Sequence, residues 1–392
     1  MRTSRILGVV FLASLLAPVF ASVANACPSG SLLTFPPDDI IRANWAPDDS
    51  VVATGAWDKT VRFFDPMTGA EVGAPLVGHT DRVVDLRFSE DGARIVTAGG
   101  FDSTARIWNA ATKSELYAFP HAGAVWAVDV APDGSLVVVA GYGYDETDHC
   151  VLWDALTGMP LRPIRAHGLS VNDVDFVCGG TVILTASSDG TAKLSRVSDG
   201  LPFRTFMGHG AEVNDAAMSP NCALVATASN DYTVKIWCAE TGECIRTLDG
   251  FAGRMNAVSF SATGDLLVTA GEDGTVKVWR VETWACVDTY FQAHEPVAPI
   301  YDARLSHDNQ RLLTAGGAEM SARLWSTCGA TPCPGDLTGD RIVGLDDLAG
   351  VLMVFGESGN LCAQPVADID NNGAVDLADL AGLLSVFGTA CD

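Results

Sequence analysis

This chain repeats itself, and that restricts its possible folds more than anything else in it. Residues 208–237 read GHGAEVNDAAMSPNCALVATASNDYTVKIW, and residues 250–279 read GFAGRMNAVSFSATGDLLVTAGEDGTVKVW. Each copy opens on Gly-His or a close variant and continues through an alternating strand, a turn and an apolar strand. It ends on Asp-x-Thr-x-x-x-Trp. The closing aromatic falls at Phe64, Trp108, Trp153, Trp237, Trp279 and Trp325, with Ser195 in its place once, at spacings of 42 to 46 residues. A period of that length is one supersecondary unit that must stack on neighbours to bury its apolar faces.

Seven copies with these matched positions resemble the WD-repeat β-propeller family over residues 29–328. The resemblance implies an all-β ring of seven four-stranded blades, closed so that no strand edge is exposed. SGSLLTF (29–35) looks like the outer strand of a blade but precedes the first complete repeat. In this family it would complete the last blade. Cys27 would then approach Cys328, and a disulfide there would lock the ring. Two further pairs are expected, Cys238–Cys244 across one inter-strand turn and Cys178–Cys222 between adjacent blades.

His209, Thr227, Asp231 and Trp237 invite a catalytic reading, yet the set recurs as His79, Thr97, Asp102 and Trp108. A catalytic constellation is needed once, whereas one repeated around a ring serves the fold. The family uses these residues as a buried hydrogen-bonded chain that satisfies polar groups. Several blades depart from it: Phe251 stands for His, Ser195 for Trp and Glu319 for Asp, and the third blade lacks a clear Thr. No catalytic residue is assigned. On the face carrying the His and Asp turns, Trp57, Phe101, Trp126, Tyr142 and Tyr144 form a run of loop aromatics. Aromatics in such loops are candidate anchors for a protein, peptide or glycan partner.

The first 26 residues combine Arg2 and Arg5, the apolar run ILGVVFLASLLAPVF and an Ala24-Asn25-Ala26 site. This is the pattern of a cleaved secretory signal. Export to the periplasm, cell surface or exterior is expected, with no membrane span. Eleven cysteines suit an oxidising compartment. Acids outnumber bases 48 to 24, for a formal charge of −24, which disfavours polyanionic partners such as nucleic acid. The propeller is assigned to residues 27–329, followed by a linker at 330–335.

The C-terminal segment, 336–392, carries a second duplication. In its second copy Asp368, Asp370, Asn372, Asp376 and Asp379 occupy positions 1, 3, 5, 9 and 12 of a loop, with Gly373 at 6 and Ala374 at 7. Oxygen ligands at that spacing around a glycine turn suit calcium. The first copy offers Asp336, Thr338, Asp340, Ile342 and Asp347. Its Arg341 at position 6 takes a left-handed turn less readily than glycine, so this site should be the weaker of two calcium sites. Each loop precedes a short apolar helix, LAGVLMVFG or LAGLLSVFG, and no helix precedes either loop. Half an EF-hand, duplicated, resembles a type I dockerin. That resemblance implies a cohesin-like partner and calcium-driven folding. Loop positions 10 and 11 are Leu345-Asp346 and Leu377-Ala378 where dockerins usually carry Ser or Thr. A clamp between two of Cys333, Cys362 and Cys391 is expected.

Together these features lead to an exported, non-enzymatic interaction protein whose calcium module tethers it to a surface or complex. The alternatives are a component of a polysaccharide-degrading enzyme complex, or a calcium-stabilised clasp on the propeller.

Overall fold

A computed structural model of the chain describes residues 33–35, 39–143, 149–291, 298–316 and 321–327, together with 380, 381 and 384. Its 28 strands, β1 to β28 in chain order, form seven four-stranded antiparallel sheets. The innermost strands are β2 (Ile40–Trp45), β6 (Asp85–Phe88), β10 (Val125–Val130), β14 (Val171–Val177), β18 (Val213–Met218), β22 (Met255–Phe260) and β26 (Ile300–Leu305).

The chemistry of each strand follows its place in the sheet. A second strand such as β19 (Leu224–Ser229) is buried at every residue. Packed on both faces, it is a continuous run of small and β-branched residues, which fit a pleated surface. An outer strand such as β17 (Pro202–Met207) buries one residue fully and leaves its flanks exposed.

The core lies between blades. Each of seven apolar clusters straddles two neighbouring sheets. One joins Ala53, Val61 and Phe63 of the first blade to Leu86, Ile95 and Trp108 of the second. Another joins Leu313 and Leu324 of the seventh to Ile40 and Trp45 of the first. The ring closes through β1 (Leu33–Phe35), which pairs antiparallel with β28 (Ser321–Ser326) and sets Leu33 opposite Leu324.

Cys178 and Cys222 are disulfide-bonded, with Cα atoms 5.8 Å apart. They tie together equivalent turns of the fourth and fifth blades. Both sit at positive φ; the position of Cys222 is held in the equivalent turns of other blades by Gly92, Gly134, Gly180 and Gly264.

The expected Cys238–Cys244 bond is not formed. Cys244 is a free, exposed thiol, and Cys238 is disulfide-bonded to another cysteine. The register explains this: Cys244 pairs with Trp237, beyond an irregularity in the ladder. Side chains alternate along a strand, so Cys244 shares the face of Trp237 while Cys238 points to the opposite one. Cys27, Cys328, Cys333, Cys362 and Cys391 lie outside the described residues, as do Tyr144, Glu319, the signal segment and all the proposed calcium ligands. Among the described residues no helix is long and apolar enough to cross a membrane.

Candidate functional site

Among the described residues, three blades build the expected polar chains. In the second blade His79 bonds Asp102 through Nδ1 at 2.7 Å and Thr97 Oγ1 through Nε2 at 2.7 Å; Trp108 Nε1 donates to the same hydroxyl at 2.9 Å. The fifth blade repeats this with His209, Asp231, Thr227 and Trp237. The fourth has His167, Asp189 and Thr185, and Ser195 in place of the tryptophan. One proton arrangement satisfies every group: Trp N–H to Thr, Thr O–H to His Nε2, and His Nδ1–H to Asp.

A Thr–His–Asp chain has the connectivity of a nucleophile, base and orienting acid. Here the hydroxyl is capped by an indole N–H, and Thr97 and Thr227 are 0% and 1% exposed. No substrate carbonyl can approach. Hydrogen bonds from the histidine and the following turn, working against desolvation, hold Asp102, Asp189 and Asp231 down to about 2. Burial lowers His167 and His209, consistent with neutral rings.

The third blade is the informative exception. Val139 occupies the threonine position, opposite Val128, and Trp153 Nε1 has no acceptor. Val139→Thr would supply one. An increase in unfolding free energy of about 0.5–1.5 kcal/mol is expected, measurable by denaturant titration.

The inner strands carry polar groups that join each blade to the next. Asp85 accepts from the Val128 amide at 3.0 Å, Asp129 from Phe176 at 2.6 Å, Asp173 from Ala216 at 3.3 Å and Asp215 from Val258 at 2.7 Å. Ser259 donates to the Ala303 carbonyl and Asn44 to that of Leu86. Trp45 Nε1 reaches the Arg304 carbonyl across the closure. All seven junctions are therefore bridged.

Three arginines thread these carboxylates. Arg87 meets Asp85 at 2.8 Å, Asp175 at 3.4 Å and Asp173 at 3.6 Å. Arg42 meets Asp85 at 3.1 Å and Asp302 at 3.7 Å, and Arg304 meets Asp302 at 3.3 Å.

Six aspartates against three arginines leave acid in excess. Burial and the neighbouring Asp175 push the Asp129 carboxyl up to about 8, and burial beside Asp215 raises Asp173. A carboxyl raised in the folded state keeps a proton that the unfolded chain has released. Its contribution is complete below the unfolded value, near 4, and is lost as pH rises through 8. Stability is expected to fall by roughly 1–3 kcal/mol between pH 6 and 9, read from denaturation midpoints. Asp129→Asn should flatten that decline.

Above this layer lies the mouth of the channel. In six inner strands the ladder skips one residue near its start: Ile41, Trp126, Asn172, Asn214, Asn256 and Tyr301. Such bulges re-aim a side chain, and all of these except Asn214 line a cavity of about 360 Å³ at the mouth. Asn172, Asn214 and Asn256 each bond a carbonyl of the next blade, at 2.8–2.9 Å. The other half of the mouth, from the seventh blade round to the third, is apolar: Tyr301, Ile41, Val84 and Trp126, joined by Trp57. Phe101 packs edge-on against Trp126 at 5.1 Å. Arg82 lies between the rings, 4.3 Å from the Trp57 centroid and 5.9 Å from that of Phe101.

Of the aromatics singled out from the sequence, Trp57, Phe101 and Trp126 thus converge. Tyr142 does not line this cavity; it packs on His149, with ring centroids 6.1 Å apart. Ile41, Arg82, Val84 and Tyr301 were not anticipated. Aligning the copies on their first strand places Ile41, Val84, Trp126 and Tyr301 at one position, which is the signal that could have found all but Arg82.

Seven radially arranged four-stranded sheets around a polar channel define a β-propeller. The chain belongs to the WD domain, G-beta repeat family, whose model matches residues 30–65, 71–109, 113–154, 158–194, 200–238 and 242–280, more than half of the sequence. The seventh blade, built from β26, β27 (Arg311–Gly316), β28 and β1, falls almost wholly outside those matches. The chain is 24% identical over 213 residues to a serine-threonine kinase receptor-associated protein of Gallus gallus, covering 44% of this chain and 60% of that one. It is 29% identical over 158 residues to a guanine nucleotide-binding protein subunit beta of Nicotiana tabacum, covering 37% and 41%. An uncharacterized WD repeat-containing protein of Synechocystis sp. is 30% identical over 135 residues, covering 32% and 38%. The matches thus span 60% or less of these relatives' own length.

Proposed function

We propose that this protein is a non-enzymatic interaction scaffold that docks a protein or peptide partner on the mouth of its channel. The half-ring of Trp57, Phe101, Trp126 and Tyr301 is the observation that carries this reading. Trp57 and Phe101 remain 45% and 67% exposed, although large apolar groups normally contribute more when buried. Aromatic anchors of this kind dominate protein interfaces. Two of the relatives, the kinase receptor-associated protein and the G-protein β subunit, bear names that describe membership of assemblies.

The test is selection of displayed random peptides on the full chain, followed by alanine substitution on both faces. Trp57→Ala and Trp126→Ala should each weaken the selected peptides about tenfold or more. Leu156→Ala and Met159→Ala should not. These two exposed residues follow β12 (Cys150–Asp154) at its end remote from the mouth. Loss confined to the second pair would sink the proposal.

The sequence of the tail supports a second element of the same reading: export followed by calcium-dependent tethering. Asp336, Thr338, Asp340, Ile342 and Asp347 would hold one ion. Asp368, Asp370, Asn372, Ala374, Asp376 and Asp379 would hold the tighter one. From Cys333 onward the segment carries ten acids and Arg341 alone as a base. Self-repulsion should therefore oppose its folding until a cation binds. Calcium is expected to protect residues 333–392 of the full chain from limited proteolysis, and a chelator to abolish that protection. Identical cleavage in both conditions would rule calcium out as the organising factor. Leu345 and Leu377 would meet the partner of this module, whether cohesin-like or the propeller itself.

A further inference from the structure

The mouth is locally cationic in a strongly acidic protein. Nine residues line its cavity; two are arginines and none is a carboxylate, although acids outnumber bases two to one in the chain. Arg42 is already engaged by Asp85 and Asp302. Arg82 is different. Among the described residues it forms no ion pair, and its Nε is buried without a hydrogen-bond partner. The nearest acid by sequence, Asp81, accepts from the Phe101 amide at 2.9 Å instead.

The guanidinium is flat and stacked between Trp57 and Phe101, so its conformational freedom is already restricted. A planar fork held in this way matches a carboxylate through two parallel hydrogen bonds. Each of the channel arginines Arg42, Arg87 and Arg304 has found such a partner within the ring, which leaves Arg82 as the one facing the cavity without it.

We propose that Arg82 selects the partner: the mouth recognises a peptide segment in which a carboxylate lies beside a large apolar side chain. The apolar group enters the half-ring of Trp57, Trp126 and Tyr301, and the carboxylate, from Asp, Glu or a chain terminus, pairs with Arg82. This inference rests on the docking face proposed above and adds its chemical specificity. The chain's overall charge of −24 does not prevent it, because charges beyond about 8 Å are screened at physiological salt while a contact pair is not.

The probe is the peptide pool selected on the full chain, with affinities measured by fluorescence anisotropy. Enriched sequences should place Asp, Glu or a free C-terminus within two residues of an aromatic or large aliphatic residue. Changing that acid to its amide, with the protein unaltered, should weaken binding about tenfold or more. Arg82→Gln should cause a similar loss and Arg82→Lys a smaller one, because a point charge lacks the flat fork.

Basic selected peptides, or amide peptides that bind equally well, would overturn the specificity. So would binding by Arg82→Gln within twofold of the parent, or displacement of no peptide together with tight binding of polygalacturonate, which would indicate a carboxylated sugar polymer. If Trp126→Ala abolishes binding while Arg82→Gln does not, the docking face stands and this inference alone fails. If neither matters, or no peptide is enriched, both fail.

Discussion

Asp85→Ala is expected to cost about 3–5 kcal/mol of unfolding free energy, seen as a shift in denaturant midpoint. The carboxylate is fully buried and serves three partners in three blades: Arg42 at 3.1 Å, Arg87 at 2.8 Å and the Val128 amide at 3.0 Å. Its removal leaves buried guanidinium charge short of a counter-charge and an amide without an acceptor. Breaking a buried ion pair from one side is far more costly than never having built it. Ser50 offers a comparison, since it bonds only the exposed Asp48 of its own turn; Ser50→Ala should change stability by less than about 0.5 kcal/mol. Similar modest values for both variants would mean that the inner carboxylates are not what joins the blades.

Trp237→Ala is expected to cost a comparable amount, about 3–5 kcal/mol. Trp237 heads the set of large, fully buried side chains. It packs on Phe206 at 5.8 Å and His209 at 6.0 Å, and its Nε1 donates to Thr227 at 2.8 Å. Trp237→Phe keeps most of the packing and loses the donor, so a smaller loss is expected than for alanine. The fourth blade shows how the ring accommodates a missing indole. Ser195 is fully buried there, its hydroxyl without a partner. The cluster between that blade and the preceding one holds no tryptophan and is filled by aliphatic side chains such as Leu152, Ile164, Val174 and Ile183. Trp237, like Trp108, Trp153, Trp279 and Trp325, lies in the cluster that joins its own blade to the preceding one.

These two positions differ in how far the sequence revealed them. Trp237 and its polar partners recur at fixed offsets, so period and spacing were enough to give both the blade and the structural role of the tetrad. The inner-strand acids recur too, as Asp85, Asp173, Asp215 and Asp302. Each stands beside apolar neighbours in an alternating strand, and there it reads as an ordinary solvent-facing residue. Only closure of the ring turns that face toward six other strands. Arg82 was hidden for a related reason: its lack of a carboxylate partner is a relation between blades, which no local pattern encodes. The Cys238–Cys244 expectation failed on register, because a ladder irregularity after Ile236 places Cys244 opposite Trp237.

The most direct test of the account is amide hydrogen exchange on the full chain, free and saturated with the tightest selected peptide. Slowed exchange is expected in the mouth segments 57–59, 81–84, 99–102 and 124–126, with the turns at 65–70 and 154–159 unchanged. Protection confined to those latter turns would place the partner on the opposite face and contradict the account.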